Sequence, residues 1–192
     1  MSATKSSSHR RSSVVEWLRT AVALSAVALS VSTARASLAD HYVVPSGSMR
    51  PTLIEGDRIV VDKMAFGLRI PFTHTWLVTT DAPDRGDVVV LESPEDGGTL
   101  VKRVMGLPGE TVAVRNGVVF VDGQSVEKRP SEVPGWLDFG PSTLGTDEYL
   151  VLGDNRGNSH DGRAFGPVRG RAILGRVKGV VWRQGGFTWH SL

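Results

Sequence analysis

The chain has 192 residues, 40% of them apolar, and a formal net charge of +2 from 22 basic and 20 acidic side chains. That is enough apolar material for one core with a small appendage, and the two signs are mixed along most of the chain, which excludes a basic stripe and with it a nucleic-acid partner. The absence of cysteine excludes a disulfide framework, a zinc-thiolate site and a thiol nucleophile.

Residues 1–13 are Ser-rich, with Lys5, His9, Arg10 and Arg11, and such a stretch is predicted to be a disordered basic tail on the cytosolic side of a membrane. Thr20 to Ala34 then runs for fifteen residues without a charge, where a straight span needs roughly 20. Counting from Val14 supplies the length if Glu16 and Arg19, three apart on one helical face, meet at the interface. A single-pass anchor over residues 14–36 is therefore expected. Ala34-Arg35-Ala36 equally reads as the cleavage site of a secretory leader, and both readings place the rest of the chain outside.

Tyr42 to Leu53 reads YVVPSGSMRPTL. Pro45, Gly47 and Pro51 bracket Ser48, which puts it on a rigid turn and not inside a helix or central strand. Strand-like runs follow at Ile59–Val61, Val88–Leu91 and Leu100–Val104, the first two entered through Gly56-Asp57-Arg58 and Arg85-Gly86-Asp87. The third carries Lys102 among apolar neighbours, a pattern that also suits a surface lysine on an edge strand. Thr111–Arg115 and Val118–Val121, joined by Asn116-Gly117, predict a hairpin. Residues 124–148 read as a loop extension, Tyr149–Leu152 as a strand running into the polar block Gly153 to Arg163, and Val168–Trp182 as further strands. Trp136, Phe139, Trp182, Phe187 and Trp189 suit either a core or a lipid-facing role. The sequence has neither G-x-S-x-G nor H-E-x-x-H, and Ser159, His160 and Asp161 are adjacent, so they cannot readily form a relay. His41, His74 and His190 read as surface residues, and no metal is expected.

In order, PSGSMRPTL, GDRIVV, RGDVVV, LVKRVMGLPGET and GDNRGNSHDGR resemble the blocks of bacterial type I signal peptidases, the Ser-Lys proteases that process exported preproteins, over about Tyr42 to Val168. The resemblance implies Ser48 as nucleophile and Lys102 as general base. It places Ser46 and the Ser48 N–H in the oxyanion hole and Ser159 on the lysine amine. It makes Arg103, Asp154, Asp161 and Arg163 a supporting ionic framework, and has Tyr42, Val44, Met49, Leu53, Leu100 and Val101 line pockets for small substrate residues. The sequence departs from the family pattern at Leu100, Gly157 and Gly162. The last two could loosen the loop that carries Ser159, and Leu100 leaves the pocket shape open.

The expected fold is all-β. Coiled antiparallel sheets over residues 37–192, with a short inserted hairpin subdomain over about 108–148, follow one N-terminal membrane helix. The expected activity removes signal peptides after small residues at A-x-A sites through an acyl-enzyme. No cofactor is needed, and the partners are preproteins and the lipid bilayer of the plasma membrane. A free lysine is almost wholly protonated at neutral pH, and keeping one neutral there costs about 4 kcal/mol of lost solvation, which burial among apolar groups could impose. Rival readings are a pilin or conjugation-factor maturation peptidase with the same dyad, a self-cleaving repressor, which would need a DNA-binding domain that this sequence lacks, and an anchored β-domain that binds without cleaving.

Overall fold

The computed structural model describes residues 16–25, 39–69, 76–127 and 137–192. The chain divides into two compact units, Met1–Ser37 and Leu38–Leu192. In the first, residues 16–25 form a helix, α1, whose side chains are exposed. Among the described residues no helix is long and apolar enough to cross a membrane. The expected tail over 1–13, and residues 14, 15 and 26–36 of the expected anchor, lie outside the described residues, as do His74 and Trp136.

The second unit is built almost wholly from strands. Its main sheet contains β1 (Ala39–Val43), β2 (Arg58–Asp62), β5 (Val88–Glu92), β6 (Thr99–Gly106), β11 (Glu148–Leu152), β12 (Val168–Arg169), β13 (Ile173–Arg183) and β14 (Gly186–Ser191). The order is β1-β2-β13-β5-β6-β11-β12, every pairing antiparallel, with β14 also on β13. β13 makes the sheet curl: β2 lies along one edge, while its other edge is shared between β5 at the start and β14 at the end. Register shifts on each of these pairings add local twist.

Burial follows composition. Val88 to Leu91 is a continuous apolar run, buried on both faces, whereas Ile59 and Val61 alternate with more exposed neighbours on β2. Two clusters result, one on each face of β5. Ile59, Val61, Val88 and Val90 pack with Val44, Met49 and Leu53 in the first, and Val89, Leu91, Val104, Val151 and Ile173 form the second.

A four-stranded sheet follows β6, ordered β10 (Phe139–Thr143), β7 (Thr111–Arg115), β8 (Val118–Val121) and β9 (Gln124–Ser125). The Asn116-Gly117 turn forms as read: both residues have positive φ, 49° and 80°, as its tight geometry requires. The segment read as a loop extension contributes β9 and β10 instead. β10 contains Gly140 and Pro141, which strand propensity disfavours, and it pairs with β7 across a register shift. This sheet shares a core with the main one: Val112, Val114, Val119 and Val121 pack with Met105, Leu150 and Leu152. A short ribbon of β3 (Gly67–Arg69) and β4 (Trp76–Thr79) completes the strands, and the helix α2 (Gly162–Phe165) follows the polar block. Among the aromatics left open by the sequence, Phe139 packs on the small sheet's core, while Trp182, Phe187 and Trp189 are exposed.

Candidate active site

The connection from β1 to β2 carries Ser46 and Ser48. Its base is closed by Val44 N–H to Asp57 O and Gly56 N–H to Val44 O, both 2.9 Å, and Gly47–Met49 form a single 3₁₀ turn inside it. Asp57 is fully buried and accepts both from Ile54 N–H and from the Arg183 guanidinium, which also donates to Thr52 O. Val44 before this turn, Met49 at its end and Leu53 after it all sit in the core, so Ser48 is presented by a segment anchored at both ends.

Lys102 comes from β6, which lies between β5 and β11 and is not an edge strand. Its register partner is Val89, on the face of the second apolar cluster. Its side chain is 3% exposed, and Nζ donates to Ser48 Oγ at 2.9 Å. Burial pushes its pKa down from the ordinary 10.5 to about 8, Arg163 lowering it further while Asp161 and Asp154 pull it back up. The Ser46 hydroxyl is exposed and lies 3.4 Å from Ser48 Oγ.

The polar block after β11 closes the site from behind. Asn155 donates its backbone N–H to Ser48 O at 3.0 Å and its side-chain amide to Gly47 O at 3.1 Å, so this block grips the Ser48 backbone directly. Asp161 is fully buried. Burial alone would raise its carboxyl, but the Arg163 guanidinium and the Gly153 N–H hold it below the usual carboxylate range. Arg103 makes a two-point pair with Asp154 at 2.8 and 2.7 Å, and Thr52 donates to the same carboxylate.

The structure therefore gathers Ser46, Ser48, Lys102, Arg103, Asp154, Asp161 and Arg163 into one neighbourhood. Ser159 is buried there too, but its Oγ makes no hydrogen bond at bonding geometry among the described residues. Of the six residues expected to line pockets, Val44, Met49 and Leu53 are buried in one apolar cluster, against which Tyr42 and Val101 pack, while Leu100 packs on the opposite cluster. Gly162 is not loose: a Cβ there would stand 2.8 Å from both Leu150 Cδ1 and Val151 O, so the glycine lets α2 press against β11. His160 is exposed and pairs with Glu95, away from any relay with Ser159. His41 and His190 are exposed as read, and among the described residues no group of acidic or histidine side chains could hold a metal.

Sequence reasoning missed Thr52, Asn155, Arg156, Glu127 and the Asp57–Arg183 pair. Asn155 and Arg156 lie inside the polar block and were legible as part of it. Glu127 and Arg183 pair with residues 29 and 126 positions away, and no local pattern marks such contacts.

The family model for signal peptidase, peptidase S26, matches residues 14–182. Signal peptidase I of Leptolyngbya laminosa is 35% identical over 156 residues, covering 77% of this chain and 71% of that protein. Signal peptidase I P of Bacillus subtilis subsp. natto is 32% identical over 164 residues, covering 80% of each. Several other relatives are matched over less than two thirds of their own length. A crystal structure of a signal peptidase I from Enterococcus faecalis V583 aligns with a TM-score of 0.43 at 31% identity, covering 51% of this chain and 98% of that one. The extent of the family match, set beside relatives more than 30% identical over most of the chain, means that this protein belongs to the signal peptidase family, peptidase S26.

Proposed function

We propose that the chain is a serine endopeptidase that removes signal peptides from exported preproteins at A-x-A sites, with Ser48 as nucleophile and Lys102 as general base. The observation that carries this reading is the 2.9 Å contact between a buried lysine amine and the hydroxyl of a serine held on a braced turn. Neutral Lys102 takes the Ser48 proton as Oγ bonds to the scissile carbonyl carbon. The amine then returns that proton to the leaving nitrogen as the C–N bond breaks. Water, deprotonated by the same amine, cleaves the resulting ester and frees Ser48. The Ser46 hydroxyl and the Ser48 N–H stabilise the oxyanion, and losing one such donor costs about 100- to 1000-fold in rate. Ser159, buried beside Asp161, is the group that steadies the amine once Ser48 turns to substrate. Tyr42, Val44, Met49, Leu53 and Val101, which pack together beside the Ser48 turn, are the apolar side chains that would meet the small residues of the substrate, and Leu100, which packs on the opposite cluster, is the least suited of the six to do so.

Residues 14–36 serve, in this reading, as a single-pass plasma-membrane anchor with the N-terminus in the cytoplasm and residues 37–192 outside. That arrangement brings Ser48 to the membrane surface where a preprotein exposes its cleavage site.

Cleavage of a preprotein in detergent tests the assignment. The parent chain is expected to release the mature product, and Ser48→Ala and Lys102→Ala to lose at least about 1000-fold in kcat. Retained activity in either would remove that residue from the mechanism. Since roughly a tenth of Lys102 is neutral at pH 7 for a pKa of about 8, kcat/KM is expected to rise with pH and level off above about 8. A profile already flat at pH 6 would assign the base elsewhere.

A further inference from the structure

Among the described residues, an ion pair joins the small sheet to the polar block that holds Ser48. Glu127 follows β9, and its carboxylate pairs with Arg156 Nη2; the two side chains are 11% and 4% exposed. Its other oxygen accepts from Val119 N–H on β8 at 3.0 Å, which fixes the carboxylate to the small sheet. Arg156 Nη1 donates to Gly153 O at 2.6 Å, and Gly153 N–H donates to Asp161 at 2.9 Å. The Gly153 residue is thus held at its carbonyl by Arg156 and at its amide by the partner of Arg163. Arg163 in turn donates to Arg156 O at 2.9 Å. Between Gly153 and Arg156 stands Asn155, whose two hydrogen bonds hold the backbone of Gly47 and Ser48.

We infer that Glu127 is a positioning residue of the active site, acting through Arg156 on the turn that fixes the Ser48 backbone; this rests on Ser48 and Lys102 being the dyad. The guanidinium of Arg156 is buried, and Glu127 is its paired carboxylate. Asp154 and Asp161, the carboxylates nearest in sequence, are already engaged by Arg103 and Arg163. Without Glu127, a buried cation must move towards one of those carboxylates or towards water, because an unpaired buried charge is strongly unfavourable. Either movement releases Gly153 O and loosens the turn. Serine–lysine alignment tolerates little looseness, since displacement of a reacting group by about 1 Å can cost about 100-fold in rate. The small sheet is then a working part of the site, through one side chain just after β9.

The test measures kcat and KM of the full chain on a preprotein for Glu127→Gln, Arg156→Lys and the double variant, with Ser48→Ala alongside. Each single change is expected to lower kcat by about 10-fold and leave KM within about twofold, because the substrate's own contacts are untouched. The double variant should be no slower than the slower single one, since both changes break one linkage. Parental kcat in folded Glu127→Gln overturns the inference, as do losses that multiply in the double variant. Arg156→Lys keeps the positive charge but cannot reach both Glu127 and Gly153, so should Glu127→Gln fail to fold, parental kcat in Arg156→Lys overturns it too. Activity in Ser48→Ala would instead strike at the dyad, whatever the Glu127 variants do.

Discussion

Lys102 stores a conflict between stability and chemistry. Its amine is removed from water by β6 and its neighbours, which is what lowers its pKa from 10.5 to about 8. In the unfolded chain the same amine stays protonated up to about 10.4. Below pH 8 both states carry the proton, and the folded state bears the full penalty of a buried cation, ~3 kcal/mol for a displacement of this size. Between about 8 and 10.5 the unfolded chain binds the proton and the folded one does not, so this contribution to stability improves as pH rises, and above 10.5 the penalty is gone. Lys102→Met, which keeps the length of the stem and discards the charge, is expected to raise the unfolding free energy at pH 7 by up to about 3 kcal/mol, with a gain that shrinks as pH approaches 10. Urea unfolding at pH 7 and pH 9.5 measures it. An equal effect of the substitution at both pH values would mean that the lysine is not titrating in the folded protein.

The turn that carries Ser48 is stiff because of what surrounds it, and the pair beneath it matters most. Asp57 is fully buried, and Arg183 supplies it with two hydrogen bonds, at 2.9 and 2.6 Å, plus a third to Thr52 O. Arg183→Ala would leave a buried carboxylate with only the Ile54 N–H in its place, a loss of roughly 3–5 kcal/mol. Thermal unfolding of the variant checks this; a loss below about 1 kcal/mol would mean that water replaces the guanidinium freely. The same elements show what sequence can reveal. β2, β5, β6 and β11 were readable from their apolar runs, the hairpin of β7 and β8 from its Asn-Gly turn, and the proximity of Ser48 to Lys102 from the order of the family's blocks. β10 was not, because Gly140 and Pro141 break the local pattern and its pairing with β7 depends on tertiary contact. β14 was hidden by its exposure, with five of its six residues open to solvent, so no alternation of burial marks it. Nothing in the local sequence marks Arg183 or Glu127, since the partners that hold a charge in place lie far along the chain.

The three apolar clusters all draw on residues 44–180, within the unit Leu38–Leu192, and every side chain assigned to the site lies in that unit. Folding of the site and delivery of the substrate should therefore be separable. A chain beginning at residue 38 has the cores and the ion pairs of the catalytic unit, so it is expected to unfold cooperatively and to cleave a soluble signal-peptide fragment with kcat close to that of the full chain. The proposed anchor contributes something different: it confines enzyme and preprotein to one surface, and such confinement raises the effective concentration of one for the other by a factor that commonly reaches about 100 or more. With a preprotein inserted in lipid vesicles, the shortened chain should thus lose at least about 10-fold in kcat/KM relative to the full chain, and the loss should disappear when detergent dissolves the vesicles. An equal loss on the soluble fragment would show that residues 1–37 help to build the site. No loss on vesicles would mean that the catalytic unit finds the bilayer unaided, with the exposed side chains of Trp182, Phe187 and Trp189 as the first surface to mutate in search of that contact.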